Sequence, residues 1–534
     1  MKRAIPGLDV FRTDEGGNIT IFSVFMVMLI LIITGASVDI MRQEANRAKM
    51  QATLDRAVLA ATDLDQMQEP TAVVQDYMAK AGLGTALSTI AVDDGLNYRT
   101  VQAKGSLGLQ TFFLKMSGLD NLPVQAISTA EEKISNVEIS LVLDISGSMD
   151  GDRIINMREA ARQFIDTVVK PAEEGTGLAT VSLVPYNATV SLGETVGAHW
   201  TFDSLHDYSR CAIFPDGAFH DTAISPSQTL TRLSHFDIQS SDQNTAAIAM
   251  PWCATGDTSA VVVHSADAAI LKSRVNALQA GGNTAIDLGV KWGVALLDPA
   301  ARPVVGALAD EGLVPVAAAS RPAGYNDPEA IKFVVVMTDG ENTSEYDLRS
   351  KYKTGMSNVW INDHGNDSPY DDHFSIKVRD YSGTSNDVWF WKRYENSSSS
   401  YRYRNSPDGG SNARQMTNQE LYARFSTAAV ANKFYVKPYY DGYVSYQQYY
   451  DVYYAYEELV GGDRADDRLH DICQAAKDEG IVIFSIAFEA PAGGKAALRD
   501  CASSASHYFD VQGVEITDTF HAIARQINNL RLIQ

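Results

Sequence analysis

One carboxylate and two hydroxyls occur at alternate positions directly after an apolar segment. Residues 139–143 predict a buried β-strand, and Asp144, Ser146 and Ser148 follow it, with Gly147 marking a turn. Oxygen ligands of this kind suit Mg²⁺, Ca²⁺ or Mn²⁺ better than a softer metal. The alternative is an ordinary surface turn, in which short polar side chains bond to nearby backbone groups.

A repeating order of strands and helices surrounds this motif. Residues 153–169 carry apolar side chains at helical spacing, and residues 178–185 predict the next buried strand. Strand, helix and strand in succession form the unit of a parallel sheet. Residues 331–339 and 481–488 predict two more buried strands. The predicted fold class is therefore α/β, with a mostly parallel, Rossmann-like sheet flanked by helices.

The D-x-S-x-S motif resembles the metal-ion-dependent adhesion site (MIDAS) of von Willebrand factor A domains. The resemblance implies a threonine at the start of a helix after paired glycines, which Thr284 matches, and an aspartate at the end of a later strand, which Asp339 matches. A helix N-cap is another role for Thr284, and the two roles can coexist. Mg²⁺ is the expected ion, with Ca²⁺ or Mn²⁺ as alternatives. The implied metal ligands are Asp144, Ser146, Ser148, Thr284 and Asp339.

Composition narrows the function classes. The chain has 534 residues, a hydrophobic share of 45% and a formal net charge of −22. The hydrophobic share supports a packed core, and the negative charge argues against nucleic acid as a partner. The sequence contains no G-x-S-x-G or zincin motif, and its ten histidines show no metal-ligand spacing. We therefore expect a binding protein and no enzymatic activity.

An uncharged segment near the N-terminus predicts a membrane span. Residues 19–38 carry no charged side chain, and at about 1.5 Å per residue they would cross a hydrocarbon core of roughly 30 Å. We expect an uncleaved transmembrane helix with residues 1–18 in the cytoplasm. A cleavable signal is the alternative, because Gly35, Ala36 and Ser37 end the apolar run.

Both ends of the chain resemble a second family. Residues 39–62 are rich in alanine and other strong helix formers and continue the predicted anchor. With E-G-G-N-I-T-I-F before them, they resemble the N-terminal region of TadE- and TadG-like pilus-assembly proteins. The segment K-D-E-G-I-V-I-F-S-I-A-F and the last predicted helix also resemble TadG-like proteins. Residues 63–135 predict a small α+β spacer, and residues 136–534 predict the A domain, with insertions at about 187–263 and 341–462.

The four cysteines predict disulfides. They form no C-x-x-C pair, which argues against a zinc site. Their even number in an exported chain predicts two bridges, with free thiols as the alternative. Cys211 and Cys253 would tie the first insertion together. Cys473 and Cys501 would meet across one helix–strand unit near the C-terminus.

The second insertion offers two weaker candidates. Residues 345–414 are polar and predict a solvated segment with a flexible loop at 397–400. A second cation site there is an alternative to a solvated acidic loop; its candidates are Asp363, His364, Asp367, Asp371, Asp372 and His373. Further on, tyrosines recur at a spacing that fits one helical face, which would pack against the body or bind a partner. The candidate partner-binding residues are Tyr443, Tyr446, Tyr450 and Tyr453.

Together, the two resemblances imply a membrane-anchored, extracytoplasmic component of a Tad-type pilus assembly or adhesion system. We expect a single-pass protein of the inner membrane, with most of the chain on the periplasmic or extracellular side; a secreted or outer-surface location is the alternative. The expected partners are other pilus-assembly components, or an adhesion ligand with an acidic side chain. A stand-alone surface adhesin for a host or matrix ligand is the alternative function.

Overall fold

The chain forms two compact units, one within Met1–Ile134 and the other within Ser135–Ala172 and Gly177–Ile533. The computed structural model describes residues 17–63, 68–94, 98–133, 136–169, 178–243, 246–327, 330–365, 368–379 and 387–533.

The first unit packs a long helix and a short one on a small sheet. Its elements are α1 (Gly17–Thr62), α2 (Pro70–Lys80), β1 (Leu87–Asp94), β2 (Tyr98–Gln110) and β3 (Asn121–Lys133). The three strands are antiparallel, in the order β1-β2-β3. The second half of α1 lies on this sheet, because it presents an apolar face there; that face includes Met50, Leu54 and Val58.

The first half of α1 has a different surface. The large side chains from Ile19 to Ile33 are exposed around the helix. The helix is long and apolar enough to cross a membrane, and within the described residues it alone meets that criterion. A signal sequence near the N-terminus would meet it as well.

The second unit alternates strands and helices. Its helices are α3 (Asp152–Val168), α4 (Gly193–Gly197), α5 (Ala268–Ala277), α6 (Ile286–Ala295), α7 (Arg302–Asp310), α8 (Ser350–Lys353), α9 (Ser399–Arg402), α10 (Asn418–Arg424), α11 (Thr427–Val430), α12 (Val436–Tyr440), α13 (Tyr446–Tyr453), α14 (Gly462–Asp478), α15 (Ala492–Cys501) and α16 (Glu515–Ile533). Its strands are β4 (Asn136–Asp144), β5 (Ala179–Tyr186), β6 (Ala212–Ile213), β7 (Thr231–Arg232), β8 (Val262–Ser265), β9 (Ala330–Thr338), β10 (Glu345–Leu348), β11 (Met356–Asn362), β12 (His373–Arg379), β13 (Val388–Trp391), β14 (Tyr403–Arg404), β15 (Arg414–Thr417), β16 (Tyr456–Val460), β17 (Val482–Phe488) and β18 (Tyr508–Val511).

The central sheet confirms the predicted fold class. Its order is β18-β17-β9-β4-β5-β8, and every neighbouring pair is parallel except β5 and β8 at one edge. Alternate side chains enter two separate cores. Val142 faces the core formed with α6, α7, α14 and α15, whereas Leu141 and Leu143 face the core formed with α3, α5 and α16. Helices therefore cover both faces of the sheet, which makes this a doubly wound α/β architecture.

The segment between β10 and β16 is more ordered than its polar sequence predicts. It forms an antiparallel five-stranded sheet in the order β14-β13-β12-β11-β15, and β10 pairs with β16 at its base. Its aromatic and aliphatic side chains, including Val359, Phe374 and Phe390, form a core together with residues of the segment between β5 and β8, such as Phe236 and Trp252. The predicted flexible loop at 397–400 instead leads into α9. The polar composition misled because apolar residues still alternate with polar ones in β12, where Phe374, Ile376 and Val378 are buried.

Two disulfides are present, with the expected partners. Cys211 joins Cys253 and Cys473 joins Cys501. The first bridge closes the irregular segment between β5 and β8. The second links α14 to α15 across β17. Each bridge restricts the unfolded chain, which is how a disulfide contributes most of its stabilisation in the chain-entropy account.

Candidate functional site

The predicted metal ligands lie at the carboxyl ends of neighbouring strands. Asp144 is the last residue of β4, and Asp339 directly follows β9. Because β4 and β9 are parallel and adjacent, with Leu143 opposite Met337, the two strands deliver their acids to the same edge. Open α/β sheets usually bind ligands at this edge.

Hydrogen bonds join four of the predicted ligands directly. The hydroxyl oxygens of Ser146 and Ser148 are 3.0 Å apart, and the Ser148 hydroxyl donates to Asp339 Oδ1 at 2.6 Å. Asp144 Oδ1 accepts the backbone N–H of Ser146 at 2.7 Å. The Thr338 hydroxyl donates to the other oxygen of Asp144. Thr338 was missed by sequence reasoning, although its place before Asp339 at the strand end could have indicated it.

Thr284 faces the same small space. A Cβ built on Gly340 would lie 3.2 Å from the Thr284 hydroxyl oxygen and 3.7 Å from that of Ser148. The structure therefore brings all five predicted ligands together: Asp144, Ser146, Ser148, Thr284 and Asp339.

The alternative role of Thr284 as a helix N-cap is wrong. The cap position of α6 is Ala285, which has no side-chain cap, and the backbone N–H of Ile286 donates to Asn342 Oδ1 at 2.7 Å. Thr284 is held through its backbone instead, since its N–H donates to the Thr343 hydroxyl at 3.0 Å. Its own hydroxyl is thus not used to cap the helix. Asn342 and Thr343 carry no sequence signal that marks these roles.

The site concentrates negative charge in a buried place. Asp144 is fully buried and Asp339 nearly so. Burial, with Asp339 nearby, raises the pKa of Asp144 to about 6, against the opposing hydrogen bonds. Within the described residues, no lysine or arginine forms an ion pair with Asp144. Two buried carboxylates beside three hydroxyls fit a hard divalent cation, which would offset this charge.

Arg153 supplies the one cationic side chain that contacts the cluster in the described structure. Its Nη1 lies 2.7 Å from Asp339 Oδ2, and its Nε lies 2.9 Å from Glu489 Oε2. Burial alone would lower the pKa of Arg153, but the bonds to Glu489 and Asp339 hold it above its ordinary value. The sequence places Arg153 at the start of a helix without indicating that it pairs with Asp339.

A cavity of about 310 Å³ adjoins the loops that carry the cluster. Ile145, Gly281 and Gly282 line it from those loops, and Gln239 and Trp252 line it from the segment between β5 and β8. No charged side chain lines it among the described residues. Its walls combine amides and hydroxyls with apolar groups, which is the usual composition of a small binding pocket.

The second cation site has no support in the described part of the chain. Among the residues that the structure describes, no group of three or more His, Cys, Asp or Glu side chains could hold a metal ion. The acids there pair with arginines: Asp363 with Arg414 at 3.4 Å and Asp372 with Arg424 at 2.5 Å. Asp367 lies outside the described residues.

Three of the four candidate tyrosines share one helical face, since Tyr446, Tyr450 and Tyr453 lie on α13 four and three residues apart. Tyr443 precedes α13 and lies in a turn, with its ring centroid 3.9 Å from that of Tyr403. Tyr453 is half-buried against the insertion core. Tyr446 and Tyr450 are exposed. The spacing predicted one helix because it could not show the break after α12.

The match to known families lies at the N-terminus. Residues 17–67 match the model of the family described as putative Flp pilus-assembly TadE/G-like proteins. This region is TadE/G-like. The resemblance to TadG-like proteins that the sequence predicted is confirmed here. A search among curated proteins found no match.

Solved structures resemble this chain only distantly. The vWF domain of the type V pili tip protein Mfa5 from Porphyromonas gingivalis is 14% identical, with a TM-score of 0.32, covering 75% of this chain and 97% of that one. The pilus adhesin RrgA from Streptococcus pneumoniae is 11% identical, with a TM-score of 0.32 and coverage of 83% and 49%. Proximal thread matrix protein 1 from the mussel byssus, with a zinc-occupied MIDAS motif, is 12% identical, with a TM-score of 0.26 and coverage of 74% and 46%. The last two matches span about half of those chains.

Gly494 should be needed for the position of the loop that follows β9. A Cβ at Gly494 would collide with the carbonyl oxygen of Gly340, whereas a Cβ at Gly493 would lie 2.5 Å from Glu341 Oε2, the mobile end of a side chain. We expect Gly494→Ala to lower the free energy of unfolding by about 1–3 kcal/mol, because backbone must shift. Gly493→Ala should cost less, since Glu341 can rotate away. Urea unfolding of both variants tests this, and equal losses would contradict it.

Proposed function

We propose that this chain is a membrane-anchored component of a Tad-type pilus assembly or adhesion system. In this proposal α1 remains uncleaved and spans the inner membrane once, and the second unit lies on the periplasmic or extracellular side. The TadE/G-like match over residues 17–67 supports the pilus system. The length and apolar surface of α1 support the anchor. The two disulfides favour an oxidising compartment.

The second unit would bind a protein partner through a divalent cation. The observation that carries this proposal is the contact of Ser148 with both Ser146 and Asp339 at the end of the sheet. Asp144, Ser146, Ser148, Thr284 and Asp339 would hold the ion. A bound cation would supply an electrophilic centre for an oxygen ligand.

The charge of the side chains around the ion determines which group from a partner it would bind. The three hydroxyls are neutral, so they would leave most of the positive charge available to an incoming group. A carboxylate from a partner protein is the ligand that fits this charge best. Mg²⁺ is the proposed ion, with Ca²⁺ and Mn²⁺ as alternatives. The proposal is binding without turnover.

The uncharged cavity beside the cluster supports a role for the first insertion in selectivity. Gln239 and Trp252 come from the insertion, whereas Gly281 and Gly282 directly precede the segment that carries Thr284. A partner whose carboxylate reaches the ion would place neighbouring uncharged groups in this cavity. The first insertion would then select partners by the residues that flank their acidic side chain.

Ser148→Ala tests the proposed metal site. We expect the full chain in detergent micelles to bind Mn²⁺ in isothermal titration calorimetry, and the variant to bind at least about tenfold more weakly, a loss of about 1.4 kcal/mol. Ser227→Ala is a matched control, because the hydroxyls of Ser225 and Ser227 also lie 3.0 Å apart but are exposed. Unchanged Mn²⁺ affinity in Ser148→Ala would remove the support for this site.

A stand-alone adhesin is the second candidate function. An affinity-capture experiment with the full chain as bait distinguishes the two candidate functions. It is carried out in Mg²⁺ and repeated in EDTA. Retention of pilus-assembly proteins in Mg²⁺ alone supports the pilus role. Retention of a host or matrix ligand without any pilus component supports the adhesin. Equal binding in EDTA would exclude the metal mechanism for either one.

A further inference from the structure

An apolar loop of the first unit lies beside the end of the membrane-spanning half of α1. The loop joins β2 to β3 and contains a short 3₁₀ helix, Leu114–Ser117. A Cβ built on Gly35 would lie 2.6 Å from Phe113 Cβ, so the glycine permits the loop to pack directly on the helix. If the span begins at Ile19, about 1.5 Å per residue places Gly35 near the far edge of a hydrocarbon core of roughly 30 Å.

Asp39 holds the loop at this height. Its carboxylate accepts the backbone N–H groups of Phe112 at 3.0 Å, Phe113 at 2.8 Å and Leu114 at 2.9 Å. Asp39 is only 1% exposed, so its charge is directed at these donors and does not face the surroundings. One helical turn further, the Arg42 guanidinium lies 3.9 Å from the centroid of the Phe112 ring.

The side chains that the loop turns outward are large and apolar. Phe112 is 66% exposed, Phe113 43%, Met116 70% and Leu119 52%. Contiguous apolar exposure of this kind on a soluble surface marks an interaction site. Here it is continuous, through the Gly35 contact, with the exposed apolar surface of α1. Lys115 and Arg42 flank it, and such side chains can extend their charges toward lipid headgroups.

We propose that residues 112–119, the interfacial loop, insert into the headgroup and upper acyl region of the bilayer that α1 crosses. The inference rests on the proposed function in one respect, namely that α1 stays in the membrane. The loop and α1 then form two attachments to one leaflet. Because Asp39 ties them together, the three-stranded sheet is held at a set distance from the bilayer and cannot swing freely about α1.

Fluorescent labels at three positions test the proposal in the full chain reconstituted into phosphatidylcholine vesicles. Single cysteines replace Met116 in the loop, Phe25 in α1 and Val92 in β1, each labelled with an environment-sensitive dye while the native disulfides stay oxidised. Val92 is a matched control, since it is exposed on the same sheet but pairs with Val101, about 33 Å along β2 from the loop at roughly 3.3 Å per residue.

We expect the dyes at Met116→Cys and Phe25→Cys to give blue-shifted emission. Lipids that carry a nitroxide near the headgroup or in the acyl chain should quench this emission. Val92→Cys should give the emission of a dye in water. Quenching at Phe25 without quenching at Met116 would overturn the interfacial loop and leave the anchor standing. Absence of quenching at Phe25 would overturn the anchor, and the loop insertion with it.

Discussion

Replacing Asp144 with alanine is expected to abolish binding of Mg²⁺ and Mn²⁺ while the chain stays folded. The substitution removes one of the two carboxylates of the cluster, and neutral hydroxyls alone hold a divalent cation poorly. We expect affinity to fall at least about a hundredfold, which corresponds to about 2.7 kcal/mol. Isothermal titration calorimetry with Mn²⁺ measures the loss, and circular dichroism checks the fold.

The physical reason for expecting the fold to survive is the cost of burying this acid. Asp144 is fully buried, and burial together with Asp339 raises its pKa to about 6, so the ionised form is disfavoured without a cation. Its removal relieves that cost. It also leaves the Ser146 N–H and the Thr338 hydroxyl without their acceptor, at about 1–3 kcal/mol for each group that stays unsatisfied.

Asp144→Asn separates charge from shape. The amide keeps an oxygen that can accept the Ser146 N–H, so stability should stay close to that of the parent chain. Metal affinity should still fall strongly, because the negative charge is gone. Parental affinity in Asp144→Asn would mean that Asp144 acts only as a hydrogen-bond acceptor and that the ion, if bound, is held elsewhere.

Replacing Glu138 with glutamine should strongly destabilise the second unit. Glu138 is fully buried in β4, and its carboxylate contacts Arg321 Nη1 at 3.0 Å and Lys332 Nζ at 2.6 Å. Burial alone would raise the pKa of Glu138, but the nearby His264 and Lys332 hold it below its ordinary value. Glutamine would leave two buried cations without their counter-charge. We expect the free energy of unfolding to fall by about 3–5 kcal/mol.

Urea unfolding with the disulfides intact measures this loss, and an exposed pair provides the control. Lys272 and Asp166 lie 2.6 Å apart at the surface, so Asp166→Asn should cost less than about 1 kcal/mol. Adding Lys332→Met to Glu138→Gln should recover part of the stability, because it removes one of the unpaired charges. A loss in Glu138→Gln no larger than that in Asp166→Asn would contradict the argument.

The central strands and the motif were predictable because their signals are local. Residues 139–143 lie buried within β4, as their apolar run indicates, and Asp144 ends the strand. The proximity of Asp339 to Asp144 also followed from the sequence, because both acids end buried strands that were predicted to lie in one parallel sheet. The prediction of Thr284 as a metal ligand depended on family resemblance, since a threonine before a helix equally predicts an N-cap.

The second insertion shows where local signals fail. Its polar residues predicted a solvated segment, yet the apolar residues among them build the core of a five-stranded sheet. Tyr443 and Tyr446 have the spacing of one helix, yet a turn separates them. In both cases tertiary packing overrides a weak propensity, because burying a shared core stabilises the segment more than its local preference does.

The sequence by itself determined the apolar span at residues 19–38, the hydroxyl and carboxylate pattern after β4 and the number of cysteines, because each is a property of neighbouring residues or of composition. Only the tertiary structure decided that Arg153 pairs with Asp339, and that Asn342 and Thr343 accept backbone N–H groups from the segment that carries Thr284. These partners come from residues more than fifty positions away along the chain. Hydrogen bonds and ion pairs between residues so far apart in the sequence depend on the relative positions of strands and loops in the fold, and no local pattern encodes them.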